Sequence, residues 1–302
     1  MFIFILLLLL ILFLVSTRKS VKMTTIDSDP GFHTLDCLSE NEVNHALALI
    51  DIKKYKELQD FIQNNTSVRN EIKKVLGDDY IFQDYILSLE KSAISTCHRD
   101  ENGRMFNGQS HPAYTILFYL EPMEACLDVI AGSHKRKGFL NVSHPLESVA
   151  CTPGQAILFD ADLIHSGSIN DKDDNKRVQM KLIHKEDVGK IPEFDGYHKV
   201  ADASKTNSRW YTKFVRDMSC TFTGMADITK NGQGAPEWIK KLYKTLAYGG
   251  ENKYSLKDVD GTDTLLKIWV YILVRWYDTK IRDRHQTQER PHVLVEAWTW
   301  NV

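Results

Sequence analysis

The chain has 302 residues, 43% of them hydrophobic and 26% charged, with 38 basic against 40 acidic side chains for a formal net charge of -2. That size and apolar content suffice for a full core, and a near-neutral balance without a basic stripe of interleaved aromatics excludes an electrostatic nucleic-acid binder. No solenoid period repeats and no segment is low in complexity, so one main folded domain is expected.

The chain opens on an unbroken run of Phe, Ile, Leu and Val from Phe2 to Val15. Fourteen residues at about 1.5 Å each span roughly 21 Å, short of a hydrocarbon core of about 30 Å. No positive region precedes the run and no clear small-residue cleavage site follows it, so an uncleaved single-pass anchor over residues 1–17 is expected in place of a signal peptide. Arg18, Lys19 and Lys22 all follow the run, which places the folded domain on the cytosolic side of a membrane. The triplets at Asn64, Asn65 and Asn141 are glycosylation acceptors only in the lumen, and they keep that orientation open. Residues 18–35 read as a polar linker with a turn at Asp29-Pro30-Gly31.

Ser39-Glu40-Asn41-Glu42 has the form of a capping box opening a helix over Val43 to Ile50, and Tyr55 to Ile62 continues an apolar face. Such helices brace the outside of a sheet. Strands follow. Tyr85 to Leu89 and Ser92 to Cys97 alternate, and Tyr114 to Leu120 is rich in β-branched and aromatic residues and stops at Glu121-Pro122. Cys126 to Ile130 ends in the turn cluster Ala131 to Lys135. Thr152-Pro153-Gly154-Gln155 is a turn before Ala156 to Asp160. Leu163 to Gly167 completes a hairpin-like pair, and Arg177 to Ile183 closes the core.

Chemistry-bearing residues sit at defined places in this order. His98 and Asp100 flank Arg99 at the end of a strand, where residues i and i+2 share a face. His165 lies late in the hairpin, and Arg177 opens the closing strand twelve residues further on. Two neutral imidazoles and one carboxylate are the ligand set that holds non-haem Fe(II) on one face and leaves three positions open. An arginine supplies a planar fork that binds a carboxylate in bidentate fashion and keeps its charge at any working pH. His184-Lys185-Glu186 has the same His-x-acid form but lacks this setting. His134 reads as a turn or rim residue, and His111 and His144 as parts of polar loops. Zinc fits poorly, because Cys37, Cys97, Cys126, Cys151 and Cys220 form no Cys-x-x-Cys pair. Their odd number and scattered spacing predict no disulfide framework, and Cys97 reads as packing.

The segments CHRD, AYTILFYLEP, CLDVIAGSHK, PGQAILFDADLIHSGSIN and KRVQMKL, over roughly residues 85 to 186, resemble the Fe(II)/2-oxoglutarate-dependent dioxygenases, most closely the branch typified by phytanoyl-CoA dioxygenase. The resemblance implies a double-stranded β-helix, a squashed barrel of two antiparallel sheets. It implies His98, Asp100 and His165 as the iron ligands and as catalytic residues, and Arg177 as the clamp on the distal carboxylate of 2-oxoglutarate. It further implies dioxygen as a substrate, with succinate and carbon dioxide as products. Gln179 departs from the Ser or Thr that relatives often carry there, which leaves Tyr114 or Thr115 as the second cosubstrate contact.

After the core the strand order fades. Pro236-Glu237-Trp238-Ile239 looks like a helix start. Leu265 to Tyr277 reads as an apolar helix packed on the barrel, since Lys267 and Arg275 interrupt it too often for a membrane span. The expected organisation is therefore an anchor over 1–17, a linker over 18–35, a dioxygenase domain over 36–190 with helical support to 80 and the β core from 81, and a C-terminal extension over 191–302. The expected substrate is a small or lipid-like molecule. A protein hydroxylase acting on prolyl or lysyl side chains and a barrel that binds a ligand without turnover stand as alternatives. No obligate protein partner is indicated.

Overall fold

The computed structural model describes residues 29–91, 95–135, 146–170, 174–204 and 254–259, together with residues 216, 219, 220, 238 and 241. The expected anchor, the Asn141 acceptor, His144, most of the helix start at 236–239 and the 265–277 helix lie outside the described residues. The chain divides into two units, 1–259 and 260–302, and all described residues belong to the first. Among the described residues no helix is long and apolar enough to cross a membrane.

The elements run β1 (Phe32–Asp36), α1 (Glu40–Asp51), α2 (Tyr55–Asn64), α3 (Thr66–Leu76), β2 (Tyr80–Phe82), β3 (Tyr85–Lys91), α4 (Arg104–Asn107), β4 (Tyr114–Tyr119), β5 (Leu127–Val129), β6 (Glu147–Val149), β7 (Gln155–Asp160), β8 (His165–Gly167), β9 (Asp174–His184), β10 (Tyr197–Ser204) and β11 (Tyr254–Asp258). They form a large sheet in the order β1-β7-β4-β9-β3-β10-β11, with β2 also on β9, and a small sheet in the order β6-β5-β8.

Strict alternation divides the two faces of the large sheet. Ile116 and Phe118 of β4, Ala156 and Leu158 of β7, and Val178, Met180 and Leu182 of β9 face α1, α2 and α3, which bury Ala46, Leu49, Leu58, Ile62, Val68 and Ile72 against them. Leu117 and Tyr119 of β4, Ile157 and Phe159 of β7 and Leu89 of β3 point the other way, onto Leu127 and Val129 of the small sheet. The space between the sheets is thus lined by every second residue of each strand.

The helices begin as their caps require. Ser39 and Glu42 form the reciprocal capping box ahead of α1. Asn65 accepts from the N–H groups of Ser67 and Val68 at 2.9 and 3.2 Å and opens α3, a helix that sequence reasoning did not find. Gly154, at φ +92°, makes the turn into β7 where an added Cβ would sit 2.3 Å from the Leu38 carbonyl.

The sheet is wider than expected at both edges. Phe32–Asp36 is no linker, since it pairs with β7 from Phe32↔Phe159 to Asp36↔Gln155. Beyond residue 190, β10 joins β3 in parallel and carries β11, so the strand order continues into the C-terminal extension. Within 92–97 the described residues 95–97 are not a strand. His98 instead makes a single antiparallel bridge with His165.

A tether from the C-terminal part reaches the small sheet. Cys97 and Cys220 form a disulfide across a sequence separation of 123, so the reading of Cys97 as packing alone is corrected. Arg216 pairs with Asp128, whose other oxygen accepts from Ser148 and Ser168 at 2.6 Å each. Ser219 Oγ accepts the Cys97 N–H at 2.8 Å. Because Leu127 and Val129 face the core, Asp128 lies on the outer side of β5, where Arg216, Ser148 and Ser168 meet it.

Candidate metal centre

The bridge between His98 and His165 is a hydrogen-bonded pair, with each N–H donating to the other's carbonyl at 2.9 Å. Directly opposed residues in such a pair project to the same face, and the two imidazole rings lie 4.5 Å apart. Asp100, two residues on, donates its N–H to the Ala161 carbonyl at 2.8 Å and so returns to the same side. Arg99 between them points away and is fully buried, with its Nε donating to the Asp162 carbonyl at 2.9 Å. That bond fastens the His98–Asp100 segment to the turn joining β7 to β8. Gly103 packs against the same turn so closely that a Cβ there would meet Asp162 Oδ1 at 2.2 Å.

The protonation of both imidazoles follows from their partners. His98 Nδ1 lies 2.8 Å from the Thr96 carbonyl and His165 Nδ1 lies 2.9 Å from the Leu163 carbonyl. A carbonyl only accepts, so each Nδ1 carries a proton, and in the neutral imidazole the lone pair is then on Nε2. The two Nε2 atoms stand 3.8 and 3.7 Å from Asp100 Oδ1. Donors about 2.1 Å from one ion and at right angles to each other are about 3 Å apart, so each nitrogen–oxygen pair needs to close by under about 1 Å to seat a cation. All three side chains are buried, and their donor atoms fall within 4.8 Å of one another. The donor set fits a divalent first-row metal.

The carboxylate is held from behind. Thr115 Oγ1 donates to Asp100 Oδ2 at 2.6 Å, and Lys181 Nζ donates to the same oxygen at 2.8 Å. Thr115 and Lys181 are register partners on β4 and β9. Thr115 is therefore on the inner face, where its hydroxyl is on the candidate ligand Asp100, whereas the sequence offers it as a cosubstrate contact. Tyr114 is not, because alternation sends it to the opposite face with Ile116 and Phe118, beside Tyr80 at 5.2 Å. The expectation of Tyr114 as a cosubstrate contact is corrected on that ground.

Arg177 is buried on the inner face of β9, four residues before Lys181 and two before Gln179. Its Nη1 donates to Asn175, and its register partners are Leu89 and Tyr119. Among the described residues the buried Tyr119 hydroxyl has no hydrogen-bond partner. Burial pushes its pKa well above the usual phenol range, and the charge of Arg177 opposes that rise. A polar atom orphaned inside a core is rare and calls for an explanation. Sequence reasoning missed Tyr119 and Lys181, although the phase of β4 and β9 sets both on the side of Thr115 and Arg177.

A second cluster, His111, His184 and Asp187, also brings its donor atoms within 4.8 Å. It is built differently. Asp187 accepts the N–H groups of Ser110 and His111 at 3.0 and 2.8 Å and the Lys190 ammonium at 2.7 Å, and its pKa lies below the usual range through these donors despite its burial. The two imidazoles stack 3.6 Å apart at 18°, so their in-plane lone pairs run parallel and do not converge. The cluster clasps the loop ahead of β4. His134, bonded to Asp29 at 3.2 Å, likewise holds a turn.

No family model matches the chain, and no curated protein matches it. Among solved structures it is similar to the non-heme alpha ketoglutarate dependent carbocyclase SnoK from nogalamycin biosynthesis, at 16% identity over 52% of this chain and 80% of that one, with a TM-score of 0.42. The epimerase SnoN in complex with Fe3+, alpha ketoglutarate and nogalamycin RO gives 14% identity, 51% and 79% coverage and a TM-score of 0.41. AviO1 from Streptomyces viridochromogenes Tue57 gives 14% identity, 54% and 96% coverage and a TM-score of 0.42. Likeness at this level assigns neither activity nor substrate to the present chain.

Proposed function

We propose that the protein is an Fe(II)- and 2-oxoglutarate-dependent dioxygenase on a double-stranded β-helix, hydroxylating a small or lipid-like molecule. The observation that carries the reading is the convergence of His98 Nε2, His165 Nε2 and Asp100 Oδ1, each oriented by a bond at its far side. Bound there, ferrous iron supplies activation of dioxygen coupled to oxidation of a 2-oxoacid. The protein's part is positional. Two imidazoles and a carboxylate on one face leave the opposite face open, and Arg177 offers a charged fork further along the same inner surface. The Tyr119 hydroxyl, on the β4 register partner of Arg177 and without a hydrogen-bond partner among the described residues, offers a second donor to the carboxylate that Arg177 would bind. The apolar lining from Leu89, Leu117, Ile157 and Phe159 excludes water and supports an apolar substrate.

The apolar run Phe2 to Val15 supports tethering to a membrane. The test of function needs no knowledge of the substrate, because enzymes of this kind oxidise the cosubstrate slowly on their own. Iron-loaded protein should release succinate from 2-oxoglutarate under oxygen, and His98→Ala and Asp100→Ala should release none. Equal release by parent and variants would sink the assignment.

A further inference from the structure

Lys181 is 2% exposed and stands on the inner face of β9, among side chains that bury apolar surface. An ammonium taken out of water costs several kcal/mol unless it is paired and hydrogen-bonded, so its surroundings must be built for it. They are. Its N–H groups find Asn102 Oδ1 at 2.7 Å, Asp100 Oδ2 at 2.8 Å and Thr115 Oγ1 at 2.9 Å. The neighbouring rings of Tyr85 and Phe194 each lie 5.5 Å from the charge. Three donors meet three acceptors drawn from the His98–Asp100 segment, the turn after it and β4.

The result is a carboxylate whose two oxygens are unequal. Oδ1 turns to the imidazoles, while Oδ2 accepts from Thr115 and Lys181 and lies 3.5 Å from Gln179 Nε2. A carboxylate free to rotate chelates a cation through both oxygens and occupies a coordination position that the open face needs. Here rotation would break two bonds, one of them charge-assisted. Lys181 also balances the charge of Asp100, so the cation keeps its full double charge toward an anionic ligand.

We propose that Lys181 is the positioning residue that holds Asp100 as a one-oxygen metal ligand. This rests on the metal-centre reading above. A lysine that merely filled space in the core would affect folding and leave the metal untouched, and partners behind a metal ligand ordinarily govern affinity by about 10- to 100-fold.

The test uses Co(II) alone as probe in the full-length chain, reading its affinity and its visible absorption. Lys181→Met should weaken Co(II) binding at least tenfold and change the spectrum as the carboxylate rotates into chelation. Lys181→Gln, which keeps a donor without the charge, should recover most of the affinity and the parent spectrum. Thr115→Val should move both readouts in the direction of Lys181→Met but less far. Lys181→Met binding Co(II) within twofold of the parent, with an unchanged spectrum, would overturn the inference. If that variant does not fold, unchanged affinity and spectrum in Thr115→Val would overturn it equally. Failure of the parent itself to bind Co(II) would instead remove the metal centre, and the positioning role with it.

Discussion

Arg177 illustrates how much one side chain's geometry decides. A planar fork and a point charge differ in what they do to a carboxylate. Arg177→Ala should raise the Michaelis constant for 2-oxoglutarate about ten- to a hundredfold, since a buried charged hydrogen bond is worth about 1.5 to 3 kcal/mol. Arg177→Lys should raise it distinctly less, and steady-state kinetics compares the two. Asp160 carries a second prediction. Burial pushes its carboxyl up to about 6, with the Asp162 charge adding to the rise and the Asp162 N–H opposing it. The unfolded chain loses that proton near the ordinary value of 3.8, so between the two values the folded state holds the extra proton. Stability from this group therefore falls as pH climbs from 4 to 6, and the penalty is complete above that window. Asp160→Asn keeps an oxygen for the Asp162 N–H, and should melt above the parent at pH 7 and level with it near pH 4. His98, Asp100, His165 and Arg177 were legible in the sequence from the alternation and turn signals around them, although the structure has no strand at 95–97 and begins β9 at Asp174, ahead of Arg177. Lys181 was not, because a lysine within an alternating strand looks like a solvent-facing residue until Thr115 and Asp100 are set opposite it. The exchange of Tyr114 for Tyr119 has the same origin. Which phase of β4 faces inward depends on where the helices lie.

At the scale of elements, α2 shows how the outer layer fixes the inner one. Tyr55, Leu58, Gln59 and Ile62 recur at helical spacing and are buried together against the large sheet. Tyr55 adds a hydroxyl bond to Glu90 of β3 at 2.7 Å, and Gln59 donates to Asp84 at 3.0 Å. Leu58 belongs to the same core cluster as Ile116, Val178 and Met180, on the backs of the strands whose fronts bear Thr115, Arg177 and Lys181. Leu58→Ala should destabilise the fold by about 2 to 5 kcal/mol through the cavity it leaves, read as a lower denaturant midpoint. The helix faces of α1 and α2 were legible from periodicity and from the capping box. The edge strand β1 and the parallel strand β10 were not. Each pairs with a strand remote in sequence, the edge strand β1 with β7 and the interior strand β10 with β3 and β11, and short segments such as Phe32–Asp36 have little alternation of their own.

At the scale of the molecule, the Cys97–Cys220 disulfide joins the C-terminal part to the segment ahead of His98, and the Arg216–Asp128 pair joins it to β5. No spacing rule marks two cysteines 123 positions apart, so the bond emerges only once the chain is folded. Closing so long a loop is worth about 4 to 5 kcal/mol in chain entropy, and Cys220→Ser should lower the melting temperature accordingly. Titration of the denatured, unreduced protein should count three thiols, those of Cys37, Cys126 and Cys151, in place of five. Seated one residue from His98, the bridge also puts two chemistries in opposition. Ferrous iron is maintained by electron donors, and thiol donors open disulfides by exchange. If the proposed iron is seated there, a reductant that does not exchange with disulfides, such as ascorbate, should sustain turnover with the Cys97–Cys220 bond closed, whereas dithiothreitol should open that bond and lower the melting temperature as Cys220→Ser does.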